Sequence, residues 1–315
     1  MTPTSRPPRA PRTARSRAFR VVTVLAVLAV VAGGIAPSLH AAFAGTSAKD
    51  RIAADPPPPL FPDRDIAPIG DQVALQQSAA RHYLASWWAD HGAEADDTAF
   101  VAWLEDTLPG PPSATARAAE IDQERRIALT RDTAGVAAAS WLEAYGKKDV
   151  WKLAAHDQAE LLPAAAGVAL KSDVDAMLSM SKTVADALGA RYQQSAPYVV
   201  DPSLRPDHVV APGDVCPCSY PSRHATSSAA SATYLSATAP HRAEEYRWMQ
   251  DEIDWSRLYM AGHVTSDITG GTLLGDMIGE YFLVTRGHEP VPVPAPAPAP
   301  ARAPVTGTGV AARPH

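Results

Sequence analysis

The stretch Ser256-Arg257-Leu258-Tyr259-Met260-Ala261-Gly262-His263-Val264-Thr265-Ser266-Asp267 joins two helical patterns across a glycine. The first pattern runs from about Arg242 to Met260. The second covers Asp267 to Thr285, with Leu273, Leu274, Met277, Ile278 and Phe282 on its apolar side. A turn near Gly262 between them predicts a helical hairpin. Just upstream, an Ala- and Ser-rich pattern opens at Pro221-Ser222, a good helix start, and ends at Pro240. These three helices set the expected fold class, an all-α single helical-bundle domain with its active elements among the last helices.

The preceding chain reads the same way. Val73 to Trp88 is apolar-rich and stops at His91-Gly92, and Thr98 to Leu108 ends at the breaker Pro109-Gly110-Pro111-Pro112. Ala114 to Thr130 is rich in Ala, Glu and Arg, which favour helix. Thr133 to Tyr145 stops at Gly146, and Val150 to Leu162 stops at Pro163. Ser172 and Asp175 resemble a capping box opening a helix to about Tyr192. From Ser195 to Tyr220 five prolines and Gly213 predict a long loop. No run of alternating strands and no internal repeat is visible.

The ends differ from the body. Six arginines and no acidic residue occupy residues 1–20, an apolar run follows from Val21 to Ala36, and Ala42-Phe43-Ala44 has the small-x-small form of a cleavage site. This order predicts a signal peptide over residues 1–44 and a secreted or extracytoplasmic protein. The rival is an uncleaved anchor, for which the run is short of the ~20 residues of a membrane span. Residues 45–69 read as an extended Pro-rich lead-in, residues 70–288 as the helical domain, and residues 289–315 as a disordered Pro/Ala-rich tail. The chain holds 28 Lys+Arg against 34 Asp+Glu, and without the six leader arginines 22 against 34, a net of −12. That balance argues against a nucleic-acid partner, because phosphate backbones need concentrated positive charge. No second long apolar run predicts stable membrane insertion. The oligomeric state is not legible. The two cysteines, Cys216 and Cys218, fit a strained one-residue-spaced disulfide, two thiols or part of a metal site, although two close thiols alone do not complete one.

The chemistry-bearing residues gather in two places. At Pro221-Ser222-Arg223-His224 a helix N-terminus offers free backbone N–H groups, a hydroxyl and a forked cation to an anion, with His224 in the first turn. At Arg257-x5-His263-x3-Asp267, the carboxylate four residues past the histidine can accept from its ring N–H and fix its tautomer. Read singly, the first is also a plain capped helix with a surface histidine, and the second a His–Asp pair that ties two helices together. Read together, they suit a site that grips a phosphate-like oxyanion, attacks it with one imidazole and protonates the leaving group with the other.

The two segments resemble the signature of the type 2 phosphatidic acid phosphatase superfamily, which includes secreted non-specific acid phosphatases and vanadium-dependent haloperoxidases. Its pattern is Lys-x6-Arg-Pro, then Pro-Ser-Gly-His, then Ser-Arg-x5-His-x3-Asp. The third part is complete from Ser256 to Asp267, and the second has Arg223 in place of glycine. The first aligns at Leu188 to Tyr198, with Gly189 and Ala196 where the two cations stand and Pro197 retained. A second Arg-Pro at Arg205-Pro206 has Tyr198 at the lysine position. Arg191, Arg205 and Arg223 are the candidates to restore positive charge.

The resemblance implies a helical bundle and an exported, metal-independent acid phosphatase-type hydrolase of phosphate monoesters. His263 would form a phosphohistidine, Asp267 would orient it, and His224 would act as general acid and then base. Arg257, Ser222 and Arg223, with Arg205 and Arg191, would hold the phosphoryl oxygens. Substrates would be small-molecule or lipid phosphates or pyrophosphates, and no cofactor is implied. The alternatives are a haloperoxidase that holds vanadate as cofactor in the same pocket, and a weakened anion-binding member.

Overall fold

The computed structural model describes residues 46–205, 218–287 and 290–291, and the expectations for the leader, for most of the tail and for Cys216 lie outside them. Among the described residues the chain is all helical, and the one β-type pairing is an isolated antiparallel bridge between Ser195 and Cys218. The helices are α1 (Ala48–Ala54), α2 (Asp63–Val73), α3 (Gln76–His91), α4 (Asp97–Thr107), α5 (Ala114–Ala128), α6 (Thr133–Tyr145), α7 (Asp149–Ala159), α8 (Ala164–Tyr192), the single turn α9 (Pro197–Val200), α10 (Arg223–Thr238), α11 (Ala243–Tyr259) and α12 (Thr265–Thr285).

The centre is the pair α10 and α12. From His224 to Leu235 every residue of α10 is buried, although the segment is mostly Ala, Ser and Thr. Small side chains permit this burial because they let a second backbone come close. α12 meets them with Gly271, Gly275 and Gly279, one per turn on one face. A Cβ at these positions would stand 2.5 Å from the Ser222 carbonyl oxygen, 2.3 Å from that of Thr226 and 2.8 Å from that of Ala230. The two helices therefore touch backbone to backbone, closer than ordinary side-chain-mediated packing allows.

The other helices wrap this pair. α8 lays Leu170, Val174, Met177, Leu178, Val184 and Leu188 into the core at helical spacing. On the far side of α12, Tyr281 stacks on Phe100 at 3.9 Å between centroids and donates its hydroxyl to Asp97 at 3.0 Å. Such stacking adds about 1 kcal/mol beyond the area buried. No helix among the described residues is long and apolar enough to cross a membrane.

Three expectations change. The lead-in expected to be extended carries α1 and α2, and Phe61, Ile66 and Ile69 are buried in the core. Asp63 and Asp65 favour the helix N-terminus, and Pro68 is tolerated inside α2. Ser172 opens nothing: α8 starts at Ala164 behind Pro163, because the Ala-rich segment before Ser172 continues the helix without a break. The segment after Ser195 is a loop only in part, since α9 and the 3-10 turn Pro202–Leu204 lie within it. Val291, at the start of the expected tail, is half-buried against the core.

Candidate active site

The Ser256–Asp267 stretch forms the hairpin turn between α11 and α12. The Gly262 N–H donates to the Arg257 carbonyl at 3.0 Å and the Ala261 N–H to that of Leu258 at 2.9 Å. Ala261 adopts φ +50°. This is the left-handed helix stop usually given to glycine. The His263 N–H also reaches the Arg257 carbonyl, at 3.3 Å. The Arg-x5-His spacing is thus the length of one closing turn. Gly262 leaves room for its neighbour, since a Cβ there would lie 2.7 Å from Arg257 Nη2.

His263 is buried, and its Nδ1 lies 2.9 Å from the Ser219 carbonyl oxygen. A carbonyl only accepts, so Nδ1 carries the proton and Nε2 keeps its lone pair. Burial first, then the positive charge of Arg257, pulls the ring pKa down to about 4, against the opposing pull of Asp267. The imidazole is therefore neutral above that pH.

Asp267 does not make the contact expected of it. Its Oδ2 is 3.8 Å from His263 Nδ1, beyond hydrogen-bond length. Its carboxylate instead accepts from both terminal nitrogens of Arg117, at 2.8 and 3.3 Å, and from the Val264 N–H at 3.0 Å. Arg117 also donates to Ser219 Oγ at 2.7 Å and to the Ser195 carbonyl at 2.8 Å. Ser219 is held in turn by the Gln194 carbonyl. The tautomer of His263 is set by the Ser219 carbonyl. Asp267 and Arg117 anchor the strand-like segment that presents it.

His224, in the first turn of α10, is also buried, and its Nε2 lies 3.0 Å from the Glu143 carbonyl oxygen at the end of α6. Nε2 is therefore its protonated nitrogen. Burial first, then Arg257, drives its pKa well below the ordinary histidine value, with Lys147 and His263 adding to the effect. The Glu143 carboxylate joins two arginines, Arg205 Nη2 at 3.0 Å and Arg257 Nη2 at 3.4 Å. Burial alone would raise the Glu143 pKa, but Arg257 and Arg205 hold it at about 2. Arg257 is 4 % exposed, and among the described residues its Nε and Nη1 have no hydrogen-bond partner. Arg205 Nε likewise has no partner among the described residues, and its guanidinium lies 5.7 Å from the centre of the Tyr198 ring. Lys147 is half-buried, its pKa lowered by burial and by the charges of Arg223 and Arg257.

Ser222 caps α10, its Oγ accepting from the Ala225 N–H at 3.3 Å. Its own N–H donates to the Asp267 carbonyl at 2.9 Å, which ties the two motifs together. Arg223 pairs with Asp186 of α8 at 3.0 Å. Arg191 lies elsewhere, against Glu105 and Asp106 of α4 at 3.6 and 3.5 Å. The two positions that lack the expected cations are packed into the fold. Ala196 is buried, and a Cβ on Gly189 would already be 3.4 Å from the Cys218 side chain. Cys218 is in a disulfide.

The structure thus gathers His224, His263, Arg257 and Arg205, with Asp267 and Ser222 behind them. It adds four residues that the sequence reading passed over: Arg117, Glu143, Lys147 and Ser219. The available signals were faint: Arg117 and Glu124 share a face of α5 with buried Ile121, and Glu143 lies four residues before Lys147 at a glycine stop. No protein-family model matches the chain, and no curated protein matches it.

Proposed function

We propose that the chain is an exported phosphatase that hydrolyses phosphate monoesters through a phosphohistidine on His263. The observation that carries this reading is the pairing of a neutral histidine, its Nε2 not the protonated nitrogen, with a buried arginine whose Nε and Nη1 meet no hydrogen-bond partner among the described residues. A nucleophile needs the first, and the growing negative charge of a phosphoryl transfer needs the second.

In the proposed cycle Arg257 and Arg205 hold the phosphoryl oxygens, aided by the first-turn N–H groups of α10. His263 Nε2 forms a bond to phosphorus as the ester P–O bond breaks, and the leaving oxygen takes a proton from His224. His224 then removes a proton from water, whose oxygen attacks phosphorus and breaks the P–N bond. Phosphate leaves with the oxygen of water, and both histidines return to their starting state. Burial first and then the charge of Arg257 depress both histidine pKa values; an arriving dianion offsets the second of these and so favours protonation of His224.

The test is phosphate release from an aryl phosphate by the purified protein, with an acid-labile phosphoenzyme trapped by rapid quench. Wild-type activity that vanadate inhibits and that His263→Ala abolishes is the expected result. Wild type no faster than His263→Ala sinks the reading. Peroxidase activity seen only with vanadate, bromide and peroxide moves the assignment to a haloperoxidase.

A further inference from the structure

We propose that Glu143 is a resident anion: its carboxylate stands where a phosphoryl group binds between Arg205 and Arg257, and an incoming anion must displace it. This rests on the reading of the two arginines as the phosphoryl-holding pair.

The geometry is that of an occupied site. One carboxylate oxygen faces Arg205 Nη2 at 3.0 Å and the other faces Arg257 Nη2 at 3.4 Å, as two phosphoryl oxygens would. The side chain of Glu143 is 34 % exposed against 10 % and 5 % for the two arginines, so it is the member of the trio most open to solvent. The carbonyl of the same residue meets Nε2 of His224 at 3.0 Å. While the last turn of α6 stays in place, both arginines face the Glu143 carboxylate and the His224 proton is engaged. Withdrawal of that one turn frees both together. The turn ends at Gly146, followed by half-buried Lys147.

Protonation does not release the carboxylate, because its pKa is held at about 2. Release is by competition. A single carboxylate carries one negative charge, and a phosphate monoester above its second pKa carries two. The device therefore favours dianionic monoesters over monoanionic diesters, since the ligand must outbid a resident charge for the same two cations.

Binding of inorganic phosphate tests this, measured by calorimetry on wild type, Glu143→Gln, Glu143→Asp and Arg257→Ala. Glu143→Gln is expected to bind phosphate on the order of tenfold more tightly than wild type, because apparent affinity falls with the fraction of protein whose site is open. Glu143→Asp keeps the charge on a shorter arm and should fall between them. In wild type, phosphate should speed amide hydrogen exchange at residues 143–148. Binding that depends on Arg257 but is no tighter in either Glu143 variant, with exchange unchanged or slowed, makes Glu143 a permanent clamp and overturns the proposal while the arginine site stands. Absence of phosphate binding in all variants removes the arginine site and the proposal together.

Discussion

The seam between α10 and α12 and the wall formed by α5 and α6 contribute to the same site by opposite means. The seam is backbone against backbone, with glycine facing carbonyl oxygens at 2.3–2.8 Å from where a methyl would stand. It fixes Asp267 and Ser222 through a main-chain hydrogen bond of 2.9 Å. The wall reaches in through long side chains, Arg117 from α5 and Glu143 from α6, whose only hold is charge and hydrogen bonding. Close packing gives position that does not depend on pH or salt. Long charged arms give adjustable electrostatics, at the cost of buried charges that must stay paired.

The largest effect belongs to the seam's own chemistry. On the proposed mechanism His263→Ala is expected to lower kcat by at least ~10⁴-fold, since no other group would replace the proposed covalent nucleophile. The melting temperature should be nearly unchanged, which separates chemistry from folding. Next comes the wall. Arg117→Met leaves Asp267, fully buried, with an uncompensated charge and should cost about 3–5 kcal/mol in denaturant unfolding. Adding Asp267→Asn should return part of that loss. A double variant no more stable than Arg117→Met alone would show that the pair is not the anchor. Gly275→Val probes the seam directly. Overpacking of this kind costs about 1–3 kcal/mol, and because the clash is with the Thr226 carbonyl rather than a flexible side chain, the upper end is expected.

The smallest effect lies midway along α11 and α12. Burial raises the carboxyl pKa of Asp251 to about 7 and those of Glu252 and Asp276 to about 8. The folded chain thus binds protons that the unfolded chain releases near pH 4, so these groups stabilise below that pH and their contribution is lost as pH rises through 7 to 8. His263, with its folded pKa at about 4, acts in the opposite sense and only below the unfolded histidine value near 6.5. Between pH 6.5 and 8.5 unfolding free energy should therefore fall with pH. Asp276→Asn should flatten that slope. A slope unchanged by the substitution would show that Asp276 does not titrate there.

The same contrast explains what could be read from the residues alone. His224, Ser222, Arg257, His263 and Asp267 sit on a helix cap and a helix-closing turn, where local spacing dictates geometry. Arg117 sits inside a helix whose charge pattern reads as solvated surface, and Glu143 is the lone charged residue of a mostly apolar α6. Only tertiary packing turns Arg117 inward, and nothing in Ala114–Ala128 marks one arginine among three as buried. The Asp267 contact was misjudged for the same reason: i,i+4 spacing allows His263 as partner, but a cation arriving from α5 competes better for the carboxylate. The glycines of α12 were legible as letters but not as a contact face, because their role appears only once the Ser- and Ala-rich face of α10 is laid against them.

The glycine seam also determines how the molecule can deform. Helices slide past one another when interlocked side chains can change rotamer, and along Gly271, Gly275 and Gly279 that layer is reduced to backbone and small side chains. Mechanically, α10 and α12 behave as a single beam, and compliance is confined to what is bolted onto it by side-chain tips. For anyone seeking to alter the ligand range, the beam is the part to leave alone. On α5 and α6 the residues to exchange are those outside the core and outside the Arg117 and Glu143 contacts that hold the site.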